Sequence, residues 1–167
     1  MLKALKSFLS ELTGEGGEAR RFGADDTRLA SAALLYHVIA IDGTVSPSER
    51  QRLHDLLMSR YGLGSEETDT LIEEAQVADQ EAVDLFRFTQ VLKDRMPEDD
   101  RAAIIAMMWD LVFQDGTLHE FEDNTIWRVA ELLGVPSNVR LQLKRAARDG
   151  GLASADGAFF GRPMRPT

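Results

Sequence analysis

The sequence predicts an all-α domain of about seven helices. Apolar residues recur at intervals of three and four along most of the chain, helix-start and helix-stop residues bracket those stretches, and no segment sustains the alternation of a strand. At 167 residues with 44% hydrophobic side chains, the chain has the length of one ordinary domain and enough apolar mass for a continuous core.

Leu2, Leu5, Leu9 and Leu12, joined by Phe8, form a helical stripe near Lys3 and Lys6. This short amphipathic helix is expected to dock on the domain or mediate self-association. Its polar face carries few cations, which argues against peripheral membrane association through residues 1–12. Gly14, Gly16, Gly17 and Gly23 follow as a linker, so residues 1–24 precede the domain. The domain itself is expected over residues 25–148. A flexible tail over 149–167 is rich in Gly and Pro.

Within the domain, Asp25 or Asp26 caps a first helix expected to run to about Ile41, apolar on most sides. Ser46-Pro47-Ser48-Glu49 then starts a second, with Ser as the cap, Pro at the first helical position and Glu at the third, ending at Tyr61-Gly62. Ser65 opens a short third helix around Leu71, Ile72 and Ala75. A fourth is expected from Asp79 to about Arg95, a fifth from Pro97 to Phe113, a sixth from His119 or Glu120 to Leu133, and a seventh from Ser137 to about Ala147.

The formal net charge of −9 disfavours nucleic acid, whose phosphates would be repelled over most of the surface. Cations and basic proteins are the natural counterparts. Glu66 to Asp84 holds eight carboxylates and no basic residue, and Glu98 to Asp123 holds eight against Arg101 alone. Cysteine is absent, which excludes disulfides, thiolate nucleophiles and thiolate metal sites. No apolar run approaches the roughly 20 residues that a membrane-crossing helix requires, and Met1 to Leu12 lacks the pattern of a cleaved signal peptide.

An internal repeat organises the domain. Asp42-Gly43-Thr44-Val45-Ser46-Pro47-Ser48-Glu49 matches Asp115-Gly116-Thr117-Leu118-His119-Glu120-Phe121-Glu122 at a displacement of 73 residues. Leu34, Leu35 and Ile39 correspond to Met107, Met108 and Val112, and Leu53 and Leu56 correspond to Ile126 and Val129. Each unit is a helix, an Asp-Gly loop, a second helix and a third. Two such helix-loop-helix units are expected to pack about a pseudo-two-fold axis, since neither buries its apolar helix alone.

The distance from Gly to Glu, with an aliphatic residue two after Gly, equals the second half of a calcium-binding helix-loop-helix loop. The first half is missing, because Val38 and Leu111 would occupy position one. Two readings stay open. Asp42 and Asp115 can end helices through Asx turns while Glu49 and Glu122 favour the following helix dipoles. Alternatively, these four carboxylates hold a divalent metal, with calcium, magnesium or manganese suited to oxygen ligands and zinc admitted by His119.

Catalytic signals are sparse. No phosphate-cradling loop or His-x-x-x-His pair occurs, and a carboxylate-based hydrolase is a remote alternative. His37 reads as a hydrogen-bonded core residue, His54 as a helix-surface residue, and Trp109 and Trp127 as core aromatics. Arg140, Lys144, Arg145 and Arg148 form a basic stripe expected to pair with the acidic surface.

The duplicated Asp-Gly loops within seven predicted helices resemble the tellurite-resistance protein B family, the TerB-like domains of bacteria, over roughly Asp25 to Arg148. The resemblance implies an all-helical, internally pseudo-symmetric fold with an acidic surface proposed to bind metal ions. It carries that role onto Asp42, Glu49, Asp115 and Glu122. It further implies a non-enzymatic, cytoplasmic, metal-responsive or scaffold protein associated with stress or tellurite resistance, alternatively an interaction scaffold without metal. Without cysteine, direct thiol chemistry on tellurite is excluded.

Overall fold

A computed structural model describes residues 22–114 and 120–149. Among these residues every regular element is a helix: α1 Thr27–Ile39, α2 Pro47–Tyr61, α3 Ser65–Glu81, α4 Phe86–Arg95, α5 Glu98–Val112, α6 Glu120–Leu132 and α7 Ser137–Arg148. The predicted helix within residues 1–12 and most of the predicted tail lie outside the described residues, as do Asp115 to His119.

Two helices make the centre. Ten residues of α1 and ten of α5 are buried, so both lack the polar face of a surface helix. They pack on one another, α3 and α4 cover α1, and α7 covers α5. Leu34, Leu35, Ile104, Ile105 and Trp109 are essentially inaccessible, and Leu53, Leu57, Leu71, Ile72, Ile126 and Leu143 reach them from the surrounding helices. Each such aliphatic side chain contributes roughly 1.5–3 kcal/mol on leaving water. The crossings of α2 with α5 and of α6 with α1 both occur, as do the pairs α1 with α3 and α5 with α7. Corresponding helices of the two sequence repeats thus meet corresponding neighbours.

The helix starts follow local chemistry. The Asp26 carboxylate accepts from the Arg28 amide at 2.8 Å and from its guanidinium at 3.0 and 2.8 Å. Burial alone would raise the Asp26 pKa; these bonds outweigh it and hold the group below 3.8. Ser46 and Glu49 close a reciprocal capping box at the start of α2, and Gly62 ends that helix in the left-handed region at φ 64°. Pro97 and Pro136 stand one residue before α5 and α7, as N-caps.

Three expectations on helix bounds and one on burial need correction. The first helix ends at Ile39 instead of Ile41. The third is not short but spans 17 residues. The helix expected from Asp79 is split: Asp79 to Glu81 finish α3, and α4 begins only at Phe86. Asp84 causes the break, since its carboxylate accepts the Phe86 amide at 3.0 Å, the donor a continuous helix would have given to the Ala82 carbonyl. His54 is buried, not superficial, with Nε2 donating to the Ser65 carbonyl at 3.1 Å.

Polar links cross the centre. Arg52 grips Asp110 through two bonds of 2.9 and 2.7 Å, and Arg60 donates to Asp100 at 3.0 Å, both tying α2 to α5. Tyr61 donates its hydroxyl to Ser31 Oγ at 2.8 Å, tying α2 to α1. Burial pushes the Tyr61 pKa up to about 12 despite that bond. The unfolded chain loses the Tyr61 proton near pH 10 while the folded chain keeps it. The associated stability is therefore complete below pH 10 and is lost as pH rises toward 12, with a limiting slope of about 1.4 kcal/mol per pH unit. Urea melts of the wild type and Tyr61→Phe between pH 8 and 11.5 check this; the substitution is expected to remove that part of the alkaline slope.

Candidate functional site

The Asp-Gly loops come first. After α1, the Gly43 amide donates to the Ala40 carbonyl at 2.9 Å and Gly43 takes φ 94°, a conformation in which side-chain-bearing residues are strained. Exposed Asp42 accepts the Thr44 amide at 3.2 Å through Oδ1, forming an Asx turn. Glu49 accepts the Ser46 amide at 3.1 Å, and Ser46 Oγ accepts the Glu49 amide at 3.1 Å. Both carboxylates of the first loop thus serve backbone donors.

In the second loop, Asp115 and His119 lie outside the described residues, while Glu122 is buried in the first turn of α6. The ends of the two repeats do approach one another. Gln114, at the end of α5, donates its side-chain amide to the Ser48 carbonyl at 3.3 Å. Among the described residues, however, no three His, Asp or Glu side chains converge as a metal-ligand group. For a resident metal, the fit rests on Asp42 and Glu49, each already accepting one amide, and on what the second loop adds.

The strongest acidic field lies on α3. Glu66, Asp69, Glu73 and Glu81 are exposed, and the helix carries no Lys or Arg from end to end. Glu66 and Glu67 in its first turn are favoured by the helix dipole, whereas Asp79 and Glu81 at its far end oppose it. Of the basic stripe on α7, Lys144 pairs across helices, with Nζ 2.9 Å from Asp123 on α6, while Arg148 lies 3.6 Å from its neighbour Asp149. Trp109 is core, as expected. Trp127 is 44% exposed instead, with the Arg140 guanidinium 6.0 Å from its ring centroid.

Two histidines sit among carboxylates. His54 Nε2 lies 3.3 Å from Ser65 Oγ and Nδ1 lies 3.7 Å from Asp55, a trio that suggests a nucleophile on paper. The same Nε2 carries its proton toward the Ser65 carbonyl, so it has no lone pair with which to activate that hydroxyl. His37 Nδ1 meets Asp79 Oδ1 at 2.8 Å, linking α1 to the end of α3 beside an open groove of about 330 Å³. Sequence reasoning missed this pair because 42 residues separate its members. The available signal was the mismatch of His37 with its repeat partner Asp110.

Fold and surface define an acidic, all-helical domain. The family model described as Tellurite resistance protein TerB matches residues 28–145, and the chain belongs to that family. A solved structure of a protein of unknown function, PG1108 from Porphyromonas gingivalis W83, is similar at a TM-score of 0.56 and 16% identity, covering 77% of this chain and 97% of that one. That likeness concerns the fold. No curated protein matches the chain.

Proposed function

We propose that this chain is a non-enzymatic, cytoplasmic binding module of the tellurite-resistance and stress class, which holds a basic protein partner on its acidic surface. The observation that carries the reading is α3: seventeen residues without one Lys or Arg, with Glu66, Asp69, Glu73 and Glu81 exposed, on a chain of net charge −9. Such a field raises the encounter rate with a positively charged surface and rejects acidic ones. None of the helices is long and apolar enough to cross a membrane, among the described residues.

The test uses a basic model peptide, octalysine amide, titrated in 20 mM salt. Binding is expected, and it is expected to weaken by about tenfold or more between 20 and 200 mM salt as the Debye length shortens. Combined reversal of Glu66, Asp69, Glu73 and Glu81 to Lys is expected to abolish it. Undiminished binding by the reversed protein would contradict the reading.

A divalent metal at the Asp-Gly loops is the second reading, and the Gln114 to Ser48 bond favours it by drawing the repeat ends together. The exposed Asp42 carboxylate uses Oδ1 for Thr44, and a hard cation can take oxygen donors from such a loop. Calorimetric titration with calcium, magnesium, manganese and zinc is expected to give heats that Asp42→Ala plus Asp115→Ala removes. Absence of heat from both proteins at millimolar metal would leave Asp42 and Glu49 as helix caps.

A further inference from the structure

The two repeats are not finished alike. Where α2 crosses α5, Arg52 and Asp110 close the interface with a two-bond fork of 2.9 and 2.7 Å. At the corresponding crossing of α6 over α1, the displacement of 73 residues puts Thr125 in the place of Arg52 and His37 in the place of Asp110. Thr125 is too short to span the gap, and its hydroxyl turns back to the Phe121 carbonyl at 2.8 Å. His37 turns to Asp79 instead. What remains is the groove of about 330 Å³, lined by His37, Asp79, Asp84, Leu85, Thr125 and Arg128 among others.

We infer that this groove receives an arginine side chain from a basic partner segment, which supplies from outside the guanidinium that Arg52 supplies from within at the other crossing. The inference rests on the acidic-module reading and names the place and the residue type.

Four features converge on that guest. Asp79 is only 12% exposed and gives one oxygen to His37, and Asp84 gives one to the Phe86 amide, so each retains acceptor capacity at the groove. The groove lies at the C-terminal end of α3, the negative pole of that helix. Its last turn carries no basic residue and instead has Asp79 and Glu81, which add to the negative pole. Val83, fully exposed on the groove wall, offers apolar surface for an arginine stem. A planar guanidinium also matches a carboxylate with two parallel bonds, as Arg52 does, where an ammonium makes point contacts. Arg128 on α6 is the cation at this groove; it is exposed and lies within 4.0 Å of no carboxylate among the described residues. It opposes a cationic guest and would favour an anionic one, which makes it a discriminating position.

Tetra-arginine amide, tetra-lysine amide and the uncharged tetra-citrulline amide are titrated in low salt into the full chain, with backbone amide shifts followed by NMR. Tetra-arginine is expected to move the amides of His37, residues 79–85 and Thr125, to bind about fivefold tighter than tetra-lysine, and to outbind tetra-citrulline by more. Thr125→Arg, which plants a guanidinium at the Arg52-equivalent position, is expected to weaken tetra-arginine about tenfold and to raise the melting temperature. Asp84→Asn, which keeps a cap for α4, serves if Thr125→Arg fails to fold and is expected to weaken binding as well. Arg128→Ala is expected to tighten it.

Shifts confined to the outward face of α3, with affinity unchanged by Thr125→Arg and Asp84→Asn, would overturn the groove while leaving the acidic module intact. Weaker binding by Arg128→Ala would likewise overturn it, in favour of an anionic guest. Absence of binding by all three peptides and by octalysine would overturn the module reading itself.

Discussion

Helices α1 and α5 are buried around almost their whole circumference, and each must therefore find neighbours on every side. That requirement explains most of the architecture. A helix without a polar face cannot lie on the surface, so the two pack on one another and draw α3, α4 and α7 over their remaining sides. Alanines at 30, 32, 33, 102, 103 and 106 permit close approach, while Trp109, Leu34, Leu35, Ile104 and Ile105 fill the space between. The start of α2 and the residues after α5 are carried to one another by the same packing, which is why Gln114 can reach the Ser48 carbonyl.

Charge is distributed unevenly around this centre. Arg52, Arg60 and Lys144 are spent on cross-helix pairs with Asp110, Asp100 and Asp123. The first two are partly shielded from water, where removing one partner strands the other. Helix α3 has no Lys or Arg of its own, and its Glu66, Asp69, Glu73 and Glu81 face solvent. Internal pairs thus tie the helices together, and the exposed carboxylates of α3 leave a negative field on the surface. At the α1–α6 crossing no such fork forms: Thr125 turns back to the Phe121 carbonyl and His37 pairs with Asp79.

The helices were readable wherever apolar periodicity coincided with a strong boundary residue. Ser46, Pro47 and Glu49 announced α2, and Gly62 its end, because cap chemistry is local. The break between α3 and α4 was hidden because residues 79–95 keep a helical spacing of apolar side chains; one Asp84 side-chain bond decides the matter. The length of α3 was underestimated because its last turns bury little, and His54 was misplaced because its partner carbonyl belongs to another helix. At the candidate site, the sequence located Asp42 and Glu49 and allowed a capping role for them, but periodicity carries no information on which amide a carboxylate accepts. The His37–Asp79 pair depends on how α1 and α3 dock, which no local pattern records.

Native-state hydrogen exchange tests the central claim most directly, since it ranks helices by the free energy needed to expose their amides. If α1 and α5 form the common core, amides of Leu34, Leu35, Ile104 and Ile105 exchange only through global unfolding, with protection matching the stability measured by denaturant. Amides along the outer face of α3 and on α4 exchange through smaller openings. Faster exchange in α1 or α5 than in α3 and α4 would contradict the account, because the fold would then be held from its periphery.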